Sequence, residues 1–292
     1  MAKITAAMVK ELRDMTGSGM MECKKALVAT DGDLQAAVDE LRKNGLATAA
    51  KRAGRATNEG AVGAYITPCG CAGALAEVAC ETDFVSSSPK FTDFVAEVAK
   101  AVVEQQPADV DALMAGTIAG ESAQAALTEL IHVIGENMKV TRFVSRTAEN
   151  GALASYVHMG GKIGVLVEFA FDKPETKDND AFKTFAHDVA MQVAATAPVA
   201  ANREDVPQDI VDHEMAIYVE QAAASGKPEA IQQRMAEGRL NKYYKTYVLV
   251  EQEFVKDSSK TVAQYMKETS KACGDTIRVV GFDRLVRGES AN

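Results

Sequence analysis

GAVGAYITPCGCAGALAEVACE at 60–81 and GALASYVHMGGKIGVLVEFAFD at 151–172 align without a gap, and that alignment decides the fold. Eight of the 22 positions are identical, among them Gly60 with Gly151, Tyr65 with Tyr156, Gly70 with Gly161 and Glu77 with Glu168. The same offset of 91 residues goes on to match Phe91 with Phe182, Phe94 with Phe185, Val98 with Val189 and Val102 with Val193. Self-similarity at a fixed spacing means that one structural unit is present twice. Each copy reads as strand, glycine-containing turn, strand, amphipathic helix. In the second copy Val165, Val167, Phe169 and Phe171 alternate with Leu166, Glu168 and Ala170, the period of a strand with one buried face.

A third strand closes the first copy at 138–144, MKVTRFV. Its counterpart is IRVVGF at 277–282, with Gly135 aligned on Gly274 at an offset of 139. The change of offset from 91 to 139 makes the second copy longer by 48 residues, which must lie within 198–260. There Val211, Met215, Tyr218 and Ala222 recur at helical spacing, Ser225 to Pro228 supply a turn, and a second helix runs from Glu229. A projecting helical hairpin follows. Its apolar stripe can serve a partner helix, including one from a second copy, or pack on the protein's own body, and periodicity does not choose between them.

Ahead of the repeat, Met8, Leu12 and Met15 mark one helix, Gly17-Ser18-Gly19 breaks it, and Cys23, Ala26 and Leu27 mark a second. Asp31-Gly32-Asp33 supplies a turn and an N-cap for a third helix carrying Leu34, Ala37, Val38 and Leu41. The expected organisation is α+β: a three-helix module with its linker at 1–55, a first core unit at 56–148, a second at 149–200 and 246–292, and the inserted hairpin at 201–245. Each core unit should be a small antiparallel sheet with helices.

A length of 292 residues calls for more than one domain. The formal net charge is −9, and no Lys/Arg run is suited to a phosphate backbone, which argues against direct nucleic-acid binding. Only residues 1–55 are mildly basic. No apolar run reaches the length of a membrane span, and the start MAKITAAMVKEL is too charged for a signal peptide, so the expectation is a cytosolic protein. Five scattered cysteines without a secretory signal are expected to be reduced thiols.

Chemistry is sparse. Neither phosphate-binding glycine motif occurs, and no cofactor is expected. Cys69, Cys71 and Cys80 fall one ligand short of a structural zinc site, so no metal is assigned. His158 has no nucleophile near it in sequence and reads as a surface hydrogen-bonding residue, leaving no catalytic residues to name. Met20 and Met21, beside a glycine turn, can be core filler or an adaptable contact surface, and the turn favours contact.

The stretch CETDFVSSS at 80–88 sets an acid beside a large aromatic where a buried strand gives way to a loop. Thr82, Asp83, Phe84 and Val85 align on Lys173, Pro174, Glu175 and Thr176, although the flanking elements match. The second copy makes the same passage without Asp-Phe, so recognition of another molecule is favoured over architecture. The rival account packs Phe84 beneath the next helix beside Phe91.

VKELRDMTGSGMMECKKAL at 9–27, CETDFV, IGENMKV at 134–140, YVHMGGKIGVLV at 156–167 and EFVKDSSKTV at 253–262 together resemble the bacterial elongation factor Ts family, in family order over nearly the whole chain. The resemblance implies exchange of guanine nucleotide on the GTPase elongation factor Tu in translation, with no bond made or broken. It also implies that Asp83 and Phe84, within Thr82–Val85, enter a crevice of the GTPase near its Mg²⁺ and phosphates. Ile134, Gly135, Glu136 and Asn137 would approach the same region. The N-terminal module, through Met20, Met21 and Lys24, would dock elsewhere on that domain, and the stretch around His158 would face the GTPase's other end. Members of the family often continue past the last strand with a further helix; here the sequence ends Gly288-Glu289-Ser290-Ala291-Asn292, so no C-terminal contact is carried over. The alternative is a helical adaptor, because three-helix modules such as 1–45 also resemble ubiquitin-associated domains.

Overall fold

Capping begins the architecture. In the computed structural model, which describes residues 3–289, the Thr5 hydroxyl accepts from the Met8 N–H to start helix α1 (Ala6–Thr16), and Gly17 ends it in the left-handed region. The final Ser290-Ala291-Asn292, like Met1 and Ala2, lies outside the described residues. Helix α2 (Met20–Ala29) follows, and the Asp33 carboxylate accepts from Ala36 N–H to start α3 (Leu34–Arg52), as the turn signal predicts. Val9, Leu12, Cys23, Ala26, Leu27, Ala37 and Leu41 form a separate small core for these helices.

The first copy contributes strands β1 (Glu59–Ile66) and β2 (Ala72–Cys80), the single helical turn α4 (Asp83–Ser86), and the long helix α5 (Pro89–Gln105). After α6 (Val110–Ala115) and the two-residue strands β3 (Thr117–Ile118) and β4 (Glu121–Ser122) come α7 (Ala123–Ile134) and β5 (Met138–Thr147). The second copy answers with β6 (Gly151–His158), β7 (Ile163–Ala170) and α8 (Asp180–Thr196), then the hairpin of α9 (Gln208–Ala223) and α10 (Glu229–Tyr247). Strands β8 (Glu253–Phe254) and β9 (Asp257–Thr261), helix α11 (Val262–Cys273) and strand β10 (Arg278–Val286) complete it.

The two main sheets are antiparallel and three-stranded, ordered β1-β2-β5 and β10-β7-β6, so the second strand of each copy is central; β3 with β4 and β8 with β9 form small two-stranded sheets. The repeat runs deeper than the sequence alignment. Gly135 and Gly274 are both left-handed caps, ending α7 and α11. Each last strand also carries a bulge at the corresponding place, skipping Thr141 opposite Glu77/Val78 and Val280 opposite Glu168/Phe169.

The two copies grip each other reciprocally. Leu153 N–H donates to the Gly70 carbonyl and Val62 N–H to the Gly161 carbonyl, each at 2.8 Å, and both donors and acceptors are related by the offset that relates the copies. Between the sheets lie Val62, Leu75, Leu153, Leu166 and Leu285. A Cβ on Gly164 would come within 2.4 Å of Val62, and one on Gly73 within 3.2 Å of Leu153, so these two glycines are needed for close approach. This contact corrects the reading of β7 as a strand with one buried face. Val165, Val167 and Phe169 pack on the copy's own helices, while Leu166, on the opposite face, is also fully buried by the other copy.

Within the hairpin, Ala222 and Ala236 are the buried residues of the two helices, and Val211, Met215 and Tyr218 are half-buried. The stripe therefore faces inward along the hairpin, and Val211 also packs at its base with Val206 and Val248. A second correction concerns the cysteines. Cys69 and Cys71 are joined in a disulfide, brought together with Cα atoms 5.3 Å apart by the tight turn at Gly70, while Cys23, Cys80 and Cys273 are free thiols.

Candidate partner-docking surface

The odd composition of CETDFVSSS is explained by its own hydrogen bonds. A single helical turn leaves its carbonyls without intrahelical partners, and here the hydroxyls of Ser86 and Ser87 donate to Asp83 O while Ser88 donates to Val85 O. At the other end the Thr82 hydroxyl accepts from Val85 N–H and caps α4. The same hydroxyl donates to Glu136 Oε1 at 2.7 Å, and Thr82 N–H donates to Glu136 Oε2 at 3.0 Å. Charge-assisted bonds to both carboxylate oxygens fix the tip to the end of α7.

On this rigid mount Phe84 stands 86% exposed, with Asp83 exposed beside it and Val85 half-buried against the first copy's core. The account that packs Phe84 under α5 is thereby overturned, because Phe91 fills that place and is fully buried without it. Leaving such a ring in water forgoes about 2 kcal/mol of burial that a partner can recover.

Of the other expected contact residues, Ile134 packs half-buried on the same core and Gly135 ends α7. Asn137 points inward: its side-chain amide donates to Arg55 O at 2.8 Å and its N–H donates to Glu81 Oε1 at 2.6 Å. Arg55 pairs with the same Glu81 carboxylate, and Arg52 donates to Ile131 O in the last turn of α7, where a cation also suits the helix dipole. The linker is thus bolted to the tip's mount. Neither Glu81 nor the two arginines stand out in sequence; the signal for Glu136 was present, since Gly135-Glu136 aligns with Gly274-Asp275.

The N-terminal module leans on α7. A Cβ on Gly45 of α3 would sit 3.6 Å from His132, and Glu22 of α2 approaches the His132 ring at 3.5 Å. Met20, Met21 and Lys24 on α2 are exposed, Met21 to 65%. His158 belongs to another sheet. Its Nδ1 shares a hydrogen bond of 3.0 Å with Tyr156 Oη, whose ring meets His187 edge to face, and exposed Val157 and Met159 flank it. No hydrogen bond or ring contact joins it to the Thr82–Val85 tip among the described residues. No helix of the described residues is long and apolar enough to cross a membrane.

These elements define a duplicated α+β protein that carries a helical module, an inserted hairpin and an exposed aromatic on a braced tip. Residues 81–289 match the family described as Elongation factor TS. The chain is 48% identical over 289 residues to Elongation factor Ts of Trichlorobacter lovleyi, covering 98% of this chain and 93% of that protein. It is 45% identical to Elongation factor Ts of Desulfovibrio desulfuricans, covering 98% of each, and 45% identical to that of Clostridium botulinum, covering 98% of this chain and 93% of the other. The chain belongs to the elongation factor Ts family, a family of translation elongation factors.

Proposed function

We propose that the protein promotes release of guanine nucleotide from elongation factor Tu, with Phe84 as an apolar wedge and Asp83 as an acid presented beside it. The observation that carries this reading is the 86% exposure of Phe84 on a tip braced by Thr82, Glu136 and three serines. In a GTPase, the bound diphosphate is held by Mg²⁺ and by backbone N–H groups of a phosphate loop. A wedge that binds best when those contacts are displaced weakens nucleotide binding, and linkage requires nucleotide to weaken the wedge equally. No bond is made or broken, so the protein is not an enzyme in the chemical sense. Ile134, Gly135, Glu136 and Asn137 act as the mount rather than as the wedge. Met20, Met21 and Lys24 form a second docking face, and His158 with Val157 and Met159 a third.

We assign these roles to segments 1–55, 56–148, and 149–200 with 246–292; the hairpin at 201–245, its stripe closed on itself, is left for self-association only through the exposed Val219 and Ile231. The test is release of fluorescently labelled GDP from elongation factor Tu with and without micromolar protein. Accelerated release supports the reading, and an unchanged rate removes it in favour of a helical adaptor that docks through the N-terminal module alone.

A further inference from the structure

The second copy bears on the cysteines as it does on Phe84. Cys69, Gly70 and Cys71 occupy the place held in the second copy by Gly160, Gly161 and Lys162, where the same interlocking turn is made without sulfur. The fold therefore does not require the disulfide. Yet the disulfide encloses the two peptide groups whose carbonyls belong to Cys69 and Gly70. Both carbonyls bind the second copy: Cys69 O accepts from Lys177 Nζ at 3.2 Å and Gly70 O from Leu153 N–H at 2.8 Å. The adjoining Cys71 O accepts from Ala148 N–H at 2.8 Å. Closing or opening this small ring changes the constraint on consecutive acceptors that hold the seam.

The turn is also open to chemistry. Cys69 is exposed, whereas Cys23 and Cys80 are buried, with burial raising both thiols and pushing Cys80 up to about 12. Cys71 N–H approaches Cys69 Sγ at 3.4 Å, a donor able to stabilise the thiolate when Cys69 is released. We propose that the Cys69-Gly70-Cys71 turn is a thiol–disulfide exchange site for an external dithiol, and that its opening loosens the seam between the two copies.

The incoming thiolate attacks Cys69 Sγ, forming a mixed disulfide and expelling the Cys71 thiolate, which takes up a proton. The reductant's second thiolate then attacks its own sulfur in the mixed disulfide and releases Cys69. Two electrons and two protons pass to the protein, and the dithiol becomes a disulfide. Where thiol buffers hold the surroundings reducing, an accessible disulfide of this kind is transient and suited to sensing.

The experiment equilibrates the full chain in graded mixtures of reduced and oxidised dithiothreitol. Iodoacetamide then traps free thiols, and the peptide containing residues 69–71 is followed by mass spectrometry beside amide hydrogen exchange. The expected result is reversible conversion of that peptide between disulfide and doubly alkylated forms, with Cys23 and Cys80 protected. The Ala148 and Leu153 amides should exchange about fivefold faster or more in the reduced protein, the low end of an ordinary coupling. Cys69→Ser with Cys71→Ser should show the faster exchange in every mixture. A peptide that stays alkylated at the most oxidising ratio, a disulfide that the dithiol does not open, or equal amide exchange in both states overturns the proposal.

Discussion

The passage from central strand to long helix is built twice, as Thr82–Ser88 and as 173–179, and the two versions differ in an instructive way. Both are pinned by an acid that follows a left-handed glycine. Glu136 holds the N–H and hydroxyl of Thr82 in the first copy; Asp275 holds the N–H groups of Asp172 and Lys173 and the hydroxyl of Thr176 in the second. The pin is thus common architecture. What it presents is not: the first copy offers Phe84 on an α-turn, while the second runs through a 3-10 turn, Pro174–Asp178, and exposes Glu175. A duplicated frame allows one copy's loop to hold an aromatic out in water while the other shows what the frame alone needs.

The largest expected effect comes from removing the ring. Losing about 2 kcal/mol of preference for the nucleotide-displaced state slows exchange roughly thirtyfold. Phe84→Ala should therefore retain the melting temperature of the parent and lose exchange in stopped-flow release of labelled GDP from elongation factor Tu. Glu175→Ala, its counterpart, should change neither. A Phe84→Ala protein that melts many degrees lower and exchanges normally would return the ring to the core.

Next comes the pin itself. Glu136→Ala frees the tip and removes charge-assisted bonds from a half-exposed site, a loss of about 1–2 kcal/mol, so exchange should fall about tenfold with the wedge still present. Combined with Thr82→Val the losses should be non-additive, because both changes break one contact. Asp275→Ala should lower stability in a thermal melt but leave exchange intact. Equal exchange losses from Glu136→Ala and Asp275→Ala would mean that the two pins serve the site alike.

Smaller again is the effect expected at the proposed second docking face. Met21→Ala with Lys24→Ala removes exposed contacts and should weaken association with the GTPase a few-fold at unchanged melting temperature, read by titration calorimetry. The smallest effect is one of pH. Hydrogen bonding, led by Thr176, lowers the Asp275 carboxyl to about 2, below the roughly 3.9 of an unfolded aspartate. The stability it contributes is full above the unfolded value and is lost as pH falls through about 2. Asp275→Asn should flatten the acid limb of melting temperature against pH, and a limb of unchanged slope would assign that limb to other carboxylates.

Much of this was legible because it is periodic. The repeat, the helical hairpin and the Asp33 cap follow from spacing and from local hydrogen bonding, which act over a few residues and leave their signature in the chain. The exposure of Phe84 was inferred from the contrast between the copies and is read directly in the structure. The burial of Leu166 was not legible, since the other copy covers it from across the sheet and period-2 patterning cannot distinguish a face turned to water from one turned to a second sheet. The inward role of Asn137 was likewise hidden, because its partners Arg55 and Glu81 lie far away in sequence.

By itself, then, the sequence determined the α+β class, the duplication, the inserted hairpin and the tip at Asp83-Phe84, all of which rest on propensity, period and comparison of one copy with the other. Only the tertiary structure decided which groups hold that tip, that Cys69 and Cys71 are joined, and that each copy's turn binds the other's first strand. The first and last of these depend on atoms meeting across tens of residues, where loop closure brings together groups whose spacing along the chain carries no signature of the contact; the disulfide closes across two residues, but whether two such cysteines meet is set by the geometry of the turn at Gly70 and not by their spacing.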